Sequence, residues 1–103
     1  MRVLGIDPGS RRTGWGVVAL EGTRLRHIAA GTIAVPEKLA LANRLRMIHA
    51  ELERVIAAHT PEAVAVEEIF FAKYASAALK LGHARGVALL VAAQSEIAVH
   101  EYP

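Results

Sequence analysis

Acidic side chains follow two short apolar runs of this sequence directly. Asp7 closes the first run and opens a turn with Pro8 and Gly9, while Glu67 and Glu68 close a second run, residues 63–66. A hard cation such as Mg²⁺ needs carboxylate oxygens in fixed geometry, and a strand end can supply them. Two alternatives stay open: Asp7 could cap a turn, since Asp-Pro-Gly is common turn chemistry, and the glutamates could be an ordinary solvated pair.

The two apolar runs could bring Asp7 and one glutamate together. Side chains alternate across a strand, so only one of Glu67 and Glu68 can share the face that Asp7 uses. If the two strands are parallel neighbours, their carboxylates converge at one edge of the sheet. Converging carboxylates repel unless a cation lies between them. The pattern therefore favours a metal site formed by Asp7 and Glu67.

A stretch without acidic residues lies between Glu68 and Glu96. It contains two adjacent aromatic rings and three cations, at Phe70, Phe71, Lys73, Lys80 and Arg85. The cations could contact phosphate, and an exposed ring could stack on a base or wedge between bases. The alternatives are a solvated helix face for the cations and a core position for one of the rings.

Gly82 and Gly86 are four residues apart in an alanine- and leucine-rich segment that is predicted to be helical. Each glycine costs a helix about 1 kcal/mol relative to alanine, so the close approach of another element is the expected compensation. A helix of a second subunit or the chain's own sheet could supply it.

The hydrophobic pattern predicts the elements that position these residues. Strands are predicted at residues 2–6, 15–20, 25–35, 63–66 and 97–99, and helices at residues 41–59 and 76–95. The order is β-β-β-α-β-α-β, with short turns in the first half and helical crossovers in the second. It predicts an α/β fold with a mixed five-stranded sheet and helices packed on it.

Composition limits the class of protein. The chain has 103 residues, of which 53% are hydrophobic and 21% charged, as expected for one small folded domain. The sequence contains no cysteine, so disulfides and thiolate metal sites are excluded. The late apolar run at residues 87–93 is too short to span a bilayer, and no signal-like segment opens the chain. We expect a cytoplasmic protein without a membrane partner.

Three segments resemble motifs of the RuvC family of Holliday-junction resolvases, in their order and spacing. They are Gly5 to Ser10 with Thr13-Gly14, Val66 to Lys73, and Ser76 to Ala88, and Glu101-Tyr102 is similar to the end of the family's fifth strand. The resemblance covers essentially the whole chain. It implies an RNase H-like fold and a homodimeric endonuclease that resolves four-way DNA junctions in recombination and repair. It also implies phosphodiester hydrolysis with Mg²⁺, with two ions per site and Mn²⁺ as a substitute, and the RuvA-RuvB branch-migration complex as a partner.

The resemblance assigns roles to individual residues. By motif position Asp7 is the first of the family's four carboxylates and Glu67 the second, and Phe70 matches an aromatic residue that engages the junction core. Lys73, Lys80 and Arg85 are expected on the edge that faces DNA. The family's other two carboxylates lie on a late helix, and no aspartate follows Asp7 in this sequence. We therefore expect residues 1–103 to be one nuclease domain, truncated before that helix.

Two other functions stay open on the sequence. One is a module that binds junctions without cutting them, which the missing carboxylates favour. The other is an actin-like ATPase or kinase domain, because actin-like and RNase H-like proteins share this order of elements. In that domain the Asp7 turn would bind nucleotide phosphate and Mg²⁺, and a second glycine-rich phosphate loop would be required. None follows in the sequence.

Overall fold

A computed structural model of the chain describes residues 1–9, 11–68 and 75–102. Three strands come first, then two helix–strand units: β1 (Arg2–Asp7), β2 (Arg12–Glu21), β3 (Arg24–Ala34), α1 (Leu41–His59), β4 (Ala63–Glu67), α2 (Ala75–Gln94) and β5 (Ala98–Tyr102). This order and the α/β class confirm the sequence-based prediction. Phe70 and Lys73, which are predicted to contact DNA, lie outside the described residues. Neither described helix is long and apolar enough to cross a membrane.

The sheet has the strand order β3-β2-β1-β4-β5. The first three strands pair antiparallel, whereas β1 pairs with β4 and β4 with β5 in parallel. The register opposes Ile6 of β1 to Val66 of β4. Asp7 and Glu67 are the next residues of their strands, so the two carboxylates leave the sheet side by side at the same edge.

Both helices contribute to one hydrophobic core with the central strands. Leu4 and Ile6 of β1 and Val64 and Val66 of β4 are almost fully buried. The helices bury a stripe of residues with helical spacing against them: Ile48, Leu52, Val55 and Ile56 of α1, and Ala84, Ala88, Val91 and Ala92 of α2. The small alanines of α2 allow this helix to approach the sheet closely. The core therefore fixes β1 and β4, the two strands that end in Asp7 and Glu67.

Two strands extend three residues beyond one of their predicted ends. Strand β2 begins at Arg12 rather than at residue 15, because its first residues already pair with the end of β3. Strand β5 runs from Ala98 to Tyr102, because its parallel pairing with β4 continues to the pair Glu67–Tyr102. Both extensions depend on pairing with a neighbouring strand, and the local hydrophobic pattern does not reveal that pairing.

The apolar residues of α1 recur at a spacing of four and three, which predicts one buried face: Leu41, Leu45, Ile48, Leu52 and Val55. The prediction is correct in the centre of the helix and wrong at its start. Leu41 is 38% exposed and lies outside the core, while Ile56, one turn before the helix end, is buried. The helix ends at His59 because Thr60 adopts a left-handed conformation with a φ of 45°. The amide of Thr60 donates a hydrogen bond of 2.8 Å to the carbonyl oxygen of Ile56, which satisfies one of the last free carbonyls of the helix.

Candidate active site

The turn after β1 holds Asp7 in place. Asp7 is exposed at the strand end, and Pro8 behind it is buried. The side chain of Thr13 is also buried, and its hydroxyl donates to the carbonyl oxygen of Gly9 at 3.3 Å and accepts from the amide of Gly9 at 3.4 Å. A Cβ atom at Gly9 would collide with the backbone carbonyl of Arg12, so only glycine fits this position. The sequence places proline and glycine where the turn requires them.

Glu67 faces Asp7 across the β1–β4 boundary. Asp7 raises the pKa of Glu67 above its ordinary value of 4.5, and the largest cause is a hydrogen bond between the two side chains. The negative charge of Asp7 and partial desolvation raise the same pKa further. The neighbouring Glu68 instead lines a hollow beside α2. The predicted convergence of Asp7 with one glutamate is confirmed, and that glutamate is Glu67.

The chemistry of this pair suits a divalent cation. Carboxylate oxygens are ligands that Mg²⁺ prefers, and a cation between the two carboxylates would relieve their repulsion. Within residues 1–9, 11–68 and 75–102, no group of three or more potential ligand side chains is close enough to hold a metal. Asp7 and Glu67 therefore fit a metal as two ligands of a larger set, and their role as ligands stays a prediction.

Tyr102 is a site residue to which the sequence assigned no chemistry. It lies opposite Glu67 in the β4–β5 register, and it lines a hollow of about 310 Å³ together with Asp7 and Gly14. Desolvation raises the pKa of the Tyr102 phenol, and the charges of Glu67 and Asp7 raise it further. Its position after Glu101 in the last motif was the available signal, but only the parallel pairing with β4 brings it to the carboxylates.

The predicted DNA-contacting cations of α2 differ in their surroundings. Lys80 is exposed. The Arg85 side chain is only 20% exposed, and it forms an ion pair with Glu101 of β5. Its Nε also donates a hydrogen bond of 3.3 Å to the backbone carbonyl oxygen of Glu67. Arg85 is thus engaged within the protein, at the same sheet edge as Asp7.

Gly82 and Gly86 lie on an open side of α2. A Cβ atom built at either glycine would meet no atom of the described residues within 4 Å. The account in which both glycines face the chain's own sheet is therefore wrong. Gly82 borders a hollow of about 480 Å³ that Glu68, Ala78, Arg85 and Glu101 also line. The described part of the chain does not supply the close approach that glycines at these positions would permit.

Comparison with known proteins gives a consistent set of relatives. The family model "Crossover junction endodeoxyribonuclease RuvC" matches residues 3–103. The chain is 54% identical over 103 residues to the crossover junction endodeoxyribonuclease RuvC of Sorangium cellulosum, and 58% identical over 99 residues to that of Parvibaculum lavamentivorans. The matches cover 100% and 96% of this chain but 58% and 57% of those proteins. The chain thus spans less than two thirds of the length of these relatives.

Solved structures with the same fold include junction resolvases. The structure of Thermus thermophilus RuvC in complex with a Holliday junction substrate matches with a TM-score of 0.92 and 37% identity, over 99% of this chain and 65% of that one. The fowlpox virus Holliday junction resolvase matches with a TM-score of 0.63 and 17% identity, over 99% of this chain and 61% of that one. At that identity the viral enzyme supports the fold alone. The predicted RNase H-like fold is confirmed by the Thermus structures.

Proposed function

The chain belongs to the RuvC family of crossover junction endodeoxyribonucleases, and we propose that it resolves four-way DNA junctions in recombination and repair by metal-dependent phosphodiester hydrolysis. The observation that carries this proposal is the convergence of Asp7 and Glu67 at the ends of two adjacent parallel strands. A structure of the Thermus relative with a Holliday junction substrate supports the choice of DNA.

Asp7 and Glu67 are the proposed ligands of Mg²⁺, with two ions per site and Mn²⁺ as a substitute. A divalent ion supplies an activated water at neutral pH and stabilises charge on the leaving oxygen. The protein's own contribution is positional: Asp7 is fixed by the Gly9–Thr13 turn, and Glu67 by its strand register. Residues 1–103 would form one nuclease domain and supply two of the family's four carboxylates.

The proposed DNA contacts follow the second carboxylate in the sequence, and two of them, Lys80 and Arg85, lie on α2. Lys80 is exposed there and free of acidic neighbours in the sequence, so a phosphate contact is its expected role. Phe70, Lys73 and Arg85 complete the DNA-binding set predicted from the sequence, with Phe70 at the junction core, although the contacts of Arg85 with Glu101 and Glu67 support a different role for that residue. By family resemblance we also expect a homodimer, cooperation with the RuvA-RuvB complex, and a cytoplasmic location.

A second candidate function is junction binding without cleavage. It is favoured by the two-carboxylate site, because the described residues contain no third ligand near Asp7 and Glu67. Binding would then need the cations of α2 and no metal. The relatives' greater length leaves room for further ligands in a longer chain, so we place nuclease activity first.

One experiment separates the candidates. The chain is titrated with Mg²⁺ in a calorimeter and then incubated with a four-way junction and with linear duplex, each with Mg²⁺ and with EDTA. A nuclease binds the metal and cuts the junction in preference to the duplex. A binding module retains the junction under both conditions and cuts neither DNA. A full-length relative assayed in parallel shows whether a missing activity reflects the shorter chain.

A further inference from the structure

Arg85 joins three elements at the sheet edge where the carboxylates converge. It belongs to α2, forms an ion pair with Glu101 of β5, and donates from Nε to the carbonyl oxygen of Glu67, the last residue of β4. A guanidinium is planar and carries five donors in a fixed fork, so it can hold two acceptors at once in a defined geometry. An ammonium group is a compact charge on a flexible stem and does not reproduce this geometry.

Two hydrogen bonds, one of them from Arg85, hold the peptide group between Glu67 and Glu68. The carbonyl oxygen of the Glu67–Glu68 peptide accepts from Arg85 at 3.3 Å, and its amide donates to the carbonyl oxygen of Tyr102 at 2.6 Å. With both polar atoms held, this peptide plane has a defined orientation. The direction of the Glu67 side chain depends on that orientation, because the plane begins at the Cα atom of Glu67.

The carboxylate pair needs such a restraint. Without a cation, Asp7 repels a charged Glu67. Glu67 is also the last residue of β4, so no further strand residue holds it in place. A freely rotating peptide would let Glu67 turn away from Asp7. The ion pair with Glu101 also offsets the positive charge of Arg85, so this residue would attract a phosphate group less strongly.

We propose that Arg85 is a positioning residue, which fixes the Glu67–Glu68 peptide and so keeps the Glu67 carboxylate directed at the metal position beside Asp7. This inference rests on the proposed function, since it takes Glu67 to be a metal ligand. It replaces the sequence-based expectation that Arg85 contacts phosphate. Loss of a residue that orients a metal ligand typically lowers metal affinity about 10- to 100-fold.

The test uses the substitution Arg85→Lys, which keeps the positive charge and removes the planar set of guanidinium donors. Calorimetric titration of the chain with Mn²⁺, without DNA, should give an affinity about 10-fold lower or more for this variant. Arg54→Lys is the matched control, because Arg54 lies on α1 and pairs there with Glu51. This control should keep the affinity of the unaltered chain. A phosphate contact predicts the reverse for Arg85→Lys, namely unchanged metal affinity.

Junction binding in EDTA gives an independent readout. Arg85→Ala should leave the salt dependence of binding unchanged if Arg85 only positions Glu67, whereas loss of a phosphate contact lowers the slope by about 1. In a full-length relative with the matching change, cleavage should need more Mg²⁺ and recover at high Mg²⁺. A folding defect would lower cleavage at every Mg²⁺ concentration and would count against positioning.

The outcomes separate this inference from the function on which it rests. If Asp7→Asn loses Mn²⁺ affinity while Arg85→Lys keeps it, positioning by Arg85 is refuted and the metal site stands. If neither the unaltered chain nor a full-length relative binds Mn²⁺, both proposals fail. Should Arg85→Lys unfold, Glu101→Gln serves instead, because it removes the ion pair but leaves Arg85 in place. An unchanged Mn²⁺ affinity in that folded variant would also overturn the proposal.

Discussion

Asp7 and Glu67 end the two central parallel strands of the sheet side by side, directly after the paired residues Ile6 and Val66. Two carboxylates so placed are unfavourable for the metal-free protein, because their negative charges repel. Such a pair is therefore typical of a binding site rather than of a stabilising surface.

Asp7→Asn should remove most of the metal affinity. The substitution replaces a charged ligand oxygen by a neutral amide, so the loss should exceed the roughly 10- to 100-fold effect of losing a residue that only orients a ligand. Junction binding in EDTA should stay close to that of the unaltered chain, because no metal takes part. Glu68→Gln is the matched control, since Glu68 lines a different hollow. Equal loss of metal affinity in both variants would contradict the assignment of Asp7.

Glu67→Gln should stabilise the metal-free protein at neutral pH. The folded state raises the pKa of Glu67 above its ordinary value of 4.5, so the folded protein holds this proton more tightly than the unfolded chain does. Stability is therefore lost as pH rises from the ordinary value through the raised one. Thermal melts in EDTA should show a higher Tm for the variant near pH 7, and the difference should vanish below the ordinary pKa. A lower Tm at pH 7 would contradict the repulsion.

The raised pKa of Glu67 also predicts how metal binding depends on pH. A carboxyl that keeps its proton cannot serve as a charged ligand, so protons compete with the metal at Glu67. Affinity for Mg²⁺ should rise as pH increases through the raised pKa of Glu67, and it should become independent of pH above it. Calorimetric titrations in a series of buffers measure this. The Glu67→Gln variant is the control, because this part of the pH dependence should be absent.

Lys80→Ala should weaken junction binding in a salt-dependent way. An exposed lysine that contacts phosphate releases about one counterion, so its loss should lower the slope of log affinity against log salt by about 1. Arg54→Ala on α1 removes an exposed cation away from the proposed DNA edge and should leave the slope unchanged. If the two variants behave alike, Lys80 belongs to a solvated face. Metal affinity without DNA should be unaltered by Lys80→Ala.

Gly82→Leu should separate folding from assembly. A Cβ atom at Gly82 meets nothing within 4 Å in the described residues, and any residue other than proline improves the helix, by about 1 kcal/mol for alanine. The variant should therefore fold, with an unchanged circular dichroism spectrum. If a second subunit approaches α2 at this glycine, sedimentation of a full-length relative with the matching change should show a shift from dimer to monomer. A folded variant that stays dimeric would place the interface elsewhere.

The order of elements was predictable because each element has a strong local signal. The run before Asp7, the turn that contains Pro8 and Gly9, and the four-and-three spacing along α1 all depend on neighbouring residues. The start of β2 at Arg12 and the end of β5 at Tyr102 were not predictable. Those residues are strands only because β3 and β4 pair with them. The predicted burial of Leu41 was wrong for a related reason, because helical spacing does not show how far the sheet extends beneath a helix.

The two carboxylates of the candidate site were predictable, but their surroundings were not. Asp7 and Glu67 each follow an apolar run, and parallel pairing of the two strands is enough to bring them together. Arg85 looked like one cation among several in a stretch without acids. Its partners, Glu101 and the carbonyl oxygen of Glu67, come from different strands and reach Arg85 only through the β4–β5 register. The metal and DNA contacts themselves stay predictions.

The crossover that separates β1 from β4 also bears on the order of folding. Strands β1 to β3 are joined by short connections and can pair early, whereas β4 joins β1 only after the loop that contains α1 has closed. Contacts between segments distant in sequence form late because of their loop-closure entropy. Asp7 is therefore without Glu67 in any intermediate that consists of the meander alone. An ion that needs both residues would then slow the unfolding of the finished domain and leave the rate of refolding almost unchanged.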